Sequence, residues 1–215
     1  MFITLEGIEG SGKTTQARYM VKFLQSRGHD CVMTREPGGT RIGEKIRAIL
    51  LDPESKDMDP LGELLLYAAD RAQHIKELVN PFLSAGKTVL CDRFYDATVA
   101  YQGFARGLDI ELINKLHEFI LKDLKPDITF LLDLPPKVGL LRAWQQIKNG
   151  TRTGIETRFE EEKLPFHEKV RSGYLEIARV EPDRFRVIDA SRDKHHVRDE
   201  IIKILSVEIN RKVTF

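Results

Sequence analysis

Eight consecutive residues, Gly7-Ile8-Glu9-Gly10-Ser11-Gly12-Lys13-Thr14, restrict this chain more than any other part of it. Their glycines let successive backbone N–H groups turn inward around an anion, where a Cβ would block the approach. The segment follows the apolar run Phe2–Glu6. It precedes Lys13–Arg27, in which Ala17, Met20, Val21 and Leu24 recur at helical spacing and Gly28 supplies a stop. A glycine turn between a strand and a helix start aims the positive end of the helix at the enclosed anion. In that setting G-x-x-x-x-G-K-[ST] is a nucleotide phosphate cradle, or P-loop. Loop amides and Lys13 hold phosphate oxygens, the Thr14 hydroxyl can reach Mg²⁺, and Thr15 follows in the first helical turn.

The rest of the chain agrees with an α/β fold. Cys31–Thr34, Thr88–Cys91, Ile128–Leu134 and Arg186–Ile188 are short, continuous apolar runs separated by longer amphipathic stretches. Such runs suit strands covered on both faces, so the expected architecture is a three-layer sandwich around a parallel five-stranded sheet. Lys148–Glu162 is polar, carries Gly150 and Gly154 and has no apolar period, which predicts a short mobile lid over about 148–162. With 215 residues and no repeat, the expectation is a single domain over 1–215. Lys and Arg (34) nearly balance Asp and Glu (33), which gives no case for a nucleic-acid partner or an anionic membrane surface. No apolar run is long enough for a membrane span, the N-terminus has no leader-type segment, and Cys31 and Cys91 cannot build a disulfide framework. The expected compartment is the cytoplasm.

A P-loop needs an acid at a neighbouring strand end to organise the metal shell. Asp92 and Asp133 both qualify, and Asp92 is favoured because Arg93 follows it, pairing an acid for metal with a cation for phosphate. A GTPase should carry Asn-Lys-x-Asp, but Asn114-Lys115-Leu116-His117 lacks the aspartate. Arg35, Arg71, Arg93, Arg142, Arg152 and Arg158 lie near expected loop ends. Arginine binds several phosphate oxygens and stabilises a migrating phosphoryl group, so the set favours a small kinase with a phosphorylated acceptor.

At this point the chain resembles a known family, thymidylate kinase, over nearly its whole length. The resemblance rests on EGIEGSGKTT, TREPGGT from Thr34, LLLYAADRAQH from Leu64, DRFYDATVAYQG from Asp92, PDITFLLDL from Pro126, the lid before FEEE, and VIDAS from Val187. It implies transfer of the γ-phosphoryl group of ATP to dTMP, with Mg²⁺, in a homodimer formed through the Gly62–Ser84 and Gly107–Leu121 regions. It further implies that Tyr67 stacks on the thymine; a core aromatic is the rival role for that side chain. Arg71, one turn later on the same face, would bond the base, with Thr98 and Gln102 near the base edge. Tyr101 would crowd the 2′ position, Pro37 would pack near the 5-methyl group, and Glu9 would sit near the 3′-hydroxyl and the metal. An acid at Glu9 is similar to the bacterial-type arrangement, in which lid arginines, here Arg152 and Arg158, stabilise the transferring group. Arg142 would stack on adenine, and Arg93 would hold the acceptor phosphate.

The chain departs from the family pattern at Thr157, where an acid is common, and at Ala97, where a serine is common. The lid is also long, which leaves open which of its arginines reaches the γ-phosphate. Three rivals stay in view: a deoxynucleoside kinase, a broad nucleoside-monophosphate kinase and a nucleotide-binding regulatory module. The acceptor-site matches weigh against all three, and Lys13 with Asp92 weighs against a dead site.

Overall fold

A computed structural model describes residues 1–151 and 155–213, the last three of them by backbone alone. The chain opens with β1 (Phe2–Glu6), the glycine turn and α1 (Lys13–Ser26), followed by β2 (Cys31–Arg35) and α2 (Arg41–Leu51). Next comes a long helical stretch of α3 (Pro60–His74), a wide π turn (Ile75–Val79) and α4 (Asn80–Ser84). β3 (Thr88–Asp92) leads into α5 (Tyr95–Thr98), a second π turn (Val99–Ala105) and α6 (Ile110–Leu121). β4 (Ile128–Asp133), α7 (Pro136–Lys148), α8 (Leu164–Val180), β5 (Phe185–Asp189) and α9 (Lys194–Val213) complete the described chain.

The five strands form one parallel sheet in the order β2-β3-β1-β4-β5. The apolar residues of β1 and β3 divide between two cores by the period of two that a strand imposes. Ile3, Leu5 and Leu90 join Ala17, Met20 and Leu24 of α1 and Ile201 and Leu205 of α9. Phe2, Val89 and Cys91 belong to a second cluster with Ile75, Val79 and Leu121. That two-sided burial explains why the strands read as continuous rather than alternating apolar runs. Truncating a fully buried member such as Leu24 to alanine should cost about 2–5 kcal/mol.

Helix starts are fixed locally. Thr40 accepts from the Gly43 amide, Asp59 from Leu61 and Gly62, and Asp109 from Glu111. All five strands end in a charged residue at the same edge of the sheet: Glu6, Arg35, Asp92, Asp133 and Asp189. This is the carboxyl edge at which open α/β sheets bind ligands, where the chain reverses direction across β1. The Val99–Ala105 π turn packs against α8, whose Gly173 lies under the Phe104 ring; a Cβ there would stand 2.8 Å from it. The extra residue of a π turn rotates the side chains that follow, and this turn brings Tyr101 and Gln102 to the ligand edge.

Candidate active site

The donor end is built mainly from backbone. Gly7, Gly10 and Gly12 have φ of 137°, 68° and 95°, values that side chains rarely adopt. A Cβ on Gly10 would stand 2.0 Å from the Gly139 carbonyl oxygen, and one on Gly139 would stand 2.4 Å from that of Glu9. The first turn of α7 therefore braces the loop backbone to backbone. Lys13 Nζ donates to the Gly7 and Ile8 carbonyls at 2.9 Å each and approaches Ser11 Oγ at 3.5 Å. Burial lowers its pKa to about 8 and Arg93 adds to the shift, while Asp92, Glu9 and Glu6 act against it.

The choice between the two strand-end acids is decided by their neighbours. Thr14 Oγ1 donates to Asp92 Oδ2 at 3.0 Å, so hydroxyl and carboxylate stand together at the mouth of the loop. Asp133 is held by Arg171 through two bonds of 2.7 and 2.8 Å. Among the described residues no cluster of three or more His, Cys, Asp or Glu is arranged for a metal. One carboxylate and one hydroxyl nevertheless suit Mg²⁺, a hard ion that keeps several waters and takes its remaining ligands from substrate phosphates.

From the loop a cavity of about 320 Å³ runs to the acceptor end. Gly10, Gly12, Lys13, Thr14, Thr15 and Asp92 wall it at one end, and Pro37, Tyr67, Arg71, Thr98, Tyr101 and Gln102 at the other, with Glu9 and Arg93 also in the wall. Tyr67 is half-buried and its ring belongs to this wall, so the rival core role covers only one side of it. Arg71 is buried, and each of its three nitrogens is bonded, with one N–H of Nη2 left for a ligand. Its Nε donates to Glu36 at 2.8 Å, Nη1 to Thr98 at 3.0 Å and Nη2 to the Phe94 carbonyl at 3.2 Å. Its Nη1 also lies 3.3 Å from His117 Nε2. Burial, with Arg71 beside it, pushes the His117 pKa down to about 3, so this imidazole is neutral and can only accept from the guanidinium.

Glu9 and Arg93 link the two ends. Arg93 Nη2 donates to Glu9 Oε1 at 2.9 Å, Nη1 reaches Tyr174 at 3.0 Å, and the guanidinium lies over the Tyr101 ring at 4.9 Å. Tyr101 also donates to Glu9 Oε1, at 2.5 Å, and His167 Nδ1 faces Glu9 Oε2 at 3.2 Å. Burial alone would raise the Glu9 pKa. The neighbouring His167 ring, with Arg93 and Lys13, overcomes it and holds this carboxyl well below the usual range. The Glu6 carboxyl behind it goes the other way, to about 8, through burial and the charge of Asp96. Arg93 itself has φ 69°, an uncommon left-handed conformation for a side-chain-bearing residue.

Three expectations need revision or fall outside the described residues. Arg158 does not line the cavity. It is buried, its Nη2 bonded to Glu63 at 2.5 Å and its Nη1 to the Leu50 carbonyl at 3.0 Å. Thr157, Phe159 and Glu160 are buried beside it, so this end of the lid is anchored rather than solvated. Arg142 is also outside the cavity wall, donating to the Ala190 and Ser191 carbonyls beyond β5. Arg152 and Gly154 lie outside the described residues.

Sequence reasoning also missed several groups. Glu36 is buried between Arg71 and His74, and Arg47 joins the cavity wall while bonding Glu156 and the Pro37 carbonyl. The only signal for Glu36 was an acid placed inside a Pro-Gly turn just after a strand. Arg47 had none, since an arginine on an amphipathic helix usually faces solvent.

An anion cradle opening into the same cavity as an aromatic, arginine-lined acceptor site is the layout of phosphoryl transfer between two small molecules, and fold and loop together define a P-loop kinase. The particular family follows from comparison. The sequence model of the thymidylate kinase family matches residues 5–201, and the chain belongs to that family. It is 57% identical over 213 residues to thymidylate kinase of Desulfosudis oleivorans, covering 98% of this chain and 100% of that one. It is 55% identical to thymidylate kinase of Desulforapulum autotrophicum, covering 99% and 92%. The crystal structure of thymidylate kinase from Ehrlichia chaffeensis superposes with a TM-score of 0.76 at 36% identity, covering 96% and 98% of the two chains.

Proposed function

We propose that this chain transfers the γ-phosphoryl group of ATP to dTMP, giving dTDP and ADP, and that residues 1–215 act as one kinase domain. The observation that carries the proposal is the single cavity shared by the phosphate loop and the Tyr67–Arg71–Tyr101 acceptor wall. Lys13 and the loop amides hold the β- and γ-phosphates, and Arg93 holds the acceptor phosphate, steered by Glu9. Tyr67 and Pro37 flank the base, and Tyr101, held against Glu9, restricts the sugar. Thr14 and Asp92 would hold Mg²⁺, which when bound neutralises phosphate charge. Positioning and charge neutralisation account for such a reaction without a covalent enzyme intermediate. Arg152 is assigned to the migrating phosphoryl group, while Arg158 roots the lid. Arg142 braces the donor-base side.

The same reading extends to assembly and location. Leu61 and Leu65 of α3 and Leu112 and Phe119 of α6 are exposed, Phe119 at 82%. A second copy of the chain would cover these apolar side chains in a homodimer. No helix among the described residues is long and apolar enough to cross a membrane, which is compatible with a cytoplasmic enzyme. The test is ADP release with Mg-ATP and a panel of dTMP, dUMP, thymidine, AMP, CMP and no acceptor. Fast turnover with dTMP, slower with dUMP and none with thymidine is expected. Turnover on thymidine alone would show that Arg93 is not a monophosphate clamp, and ATP binding without turnover on any acceptor would favour a regulatory module.

A further inference from the structure

Gln102 lies in the π turn before α6, is 1% exposed and forms part of the cavity wall. Its Nε2 donates to Glu63 Oε1 at 2.7 Å. Glu63, on α3, is fully buried and is not itself part of the wall. Arg158 Nη2 lies 2.5 Å from its Oε2, and Arg106 spans both oxygens at 3.3 Å. A carboxylate paired with two guanidinium groups is an acceptor only. It therefore settles which end of the Gln102 amide faces it. The NH₂ must point to Glu63, because a flipped amide would set carbonyl oxygen against carboxylate oxygen with no proton between them. The Gln102 carbonyl is then turned away from Glu63.

Arg71 supplies the complementary half. Its guanidinium is in the cavity wall and bonded to Thr98, one helical turn before Gln102. A donor beside a fixed acceptor matches an edge that presents a carbonyl next to an N–H, which is the imide edge of thymine and uracil. Cytosine presents an amino donor next to a ring-nitrogen acceptor, so both positions are reversed.

We propose that Glu63 is a positioning residue for base selection: by fixing the Gln102 amide, it makes the acceptor site take an imide pyrimidine nucleotide and reject a cytosine nucleotide. The inference rests on the dTMP kinase reading above. Glu63→Gln has a definite consequence. Arg158, the closer guanidinium, retains the side-chain oxygen, so the new NH₂ faces Gln102 and turns its amide over. The cavity then presents a donor where it had an acceptor.

The experiment measures kcat/KM for dTMP, dUMP and dCMP with the wild type, Glu63→Gln, Gln102→Leu and the double variant, each checked by thermal melting. Glu63→Gln is expected to lower kcat/KM for dTMP and dUMP and raise it for dCMP, shifting the dTMP-to-dCMP ratio by about tenfold or more. In the Gln102→Leu background the same change should leave the ratio unmoved. Equal losses on all three nucleotides, or a further shift in the double variant, would overturn the proposal and leave Glu63 as a lid anchor. If Glu63→Gln lacks a cooperative melt, Glu63→Asp carries the comparison. It keeps the charge for Arg106 and Arg158 while drawing the acceptor back from Gln102, and an unchanged ratio there also overturns the proposal. A wild type silent on dTMP would overturn the underlying reading instead.

Discussion

The donor cradle and the acceptor pocket share one cavity but are held together by different means. The cradle is eight contiguous residues whose shape comes from glycine dihedrals, loop carbonyls on Lys13 and the backbone of α7 against Gly10. The pocket collects side chains from the loop after β2, from α2 and α3, from α5 and the π turn after it, and from the segment before α8. Buried charge pairs fix them: Glu36 with Arg71, Glu63 with Arg158, Glu9 with Arg93. A backbone-built site is vulnerable to an added atom. A site built on buried ion pairs is vulnerable to a lost partner, because the remaining charge has nowhere to be solvated.

That contrast can be tested one end at a time. Lys13→Ala should have the largest effect, lowering kcat on the order of 10³-fold while dTMP affinity measured by calorimetry stays near wild type. A parallel loss of dTMP binding would mean that the two ends are not separable. Arg158→Ala should act on the acceptor side through the fold, costing up to about 3 kcal/mol in urea unfolding because buried Glu63 keeps only its longer bonds with Arg106. A wild-type midpoint combined with a large fall in kcat would return Arg158 to a direct role at the phosphate. Gly139→Ala adds one methyl group where only 2.4 Å is available. It should raise the ATP KM, with an overpacking cost of about 1–3 kcal/mol, and leave the dTMP KM unchanged.

The smallest effect concerns pH. Asp70 accepts from the Gly38 amide, and burial, with Glu36 nearby, raises its carboxyl to about 7. Between its ordinary value near 3.8 and about 7 the native state keeps a proton that the unfolded chain has released. This group's contribution to stability therefore falls as pH rises through that window, by at most about 1.4 kcal/mol per pH unit. Asp70→Asn should flatten that slope in Tm against pH; an unaltered slope would show that Asp70 is ionised throughout.

The same contrast explains what could be seen in the sequence. Five apolar runs gave five strands, with ends shifted by no more than a residue, because two-sided burial leaves a composition signal that needs no partner. The cradle was legible for the same local reason. The resemblance singled out Tyr67, Arg71, Thr98, Tyr101 and Gln102, which the structure gathers into one cavity wall, but not the residues that support that wall. Glu36, Glu63 and His167 acquire their meaning from partners 35, 95 and 158 positions away in the chain, which no periodicity encodes. The lid root was misjudged for a related reason. Thr157-Arg158-Phe159-Glu160 has the composition of a solvated flap, yet Glu63 and the Leu50 carbonyl neutralise and bond Arg158, and Phe159 packs edge-on against Tyr101.

The left-handed backbone at Arg93 is a strain that the side chain's own bonds hold in place. A side-chain-bearing residue in that conformation costs roughly 1–2 kcal/mol relative to glycine. The Arg93 amide is nevertheless tied to the Leu5 carbonyl at 2.9 Å, and the guanidinium reaches both Glu9 and Tyr174. Glycine here would release that strain but leave Glu9 buried without its guanidinium, a loss of about 3–5 kcal/mol, so stability and turnover both keep the arginine. A thermostability screen run without any activity assay should therefore still retain Arg93.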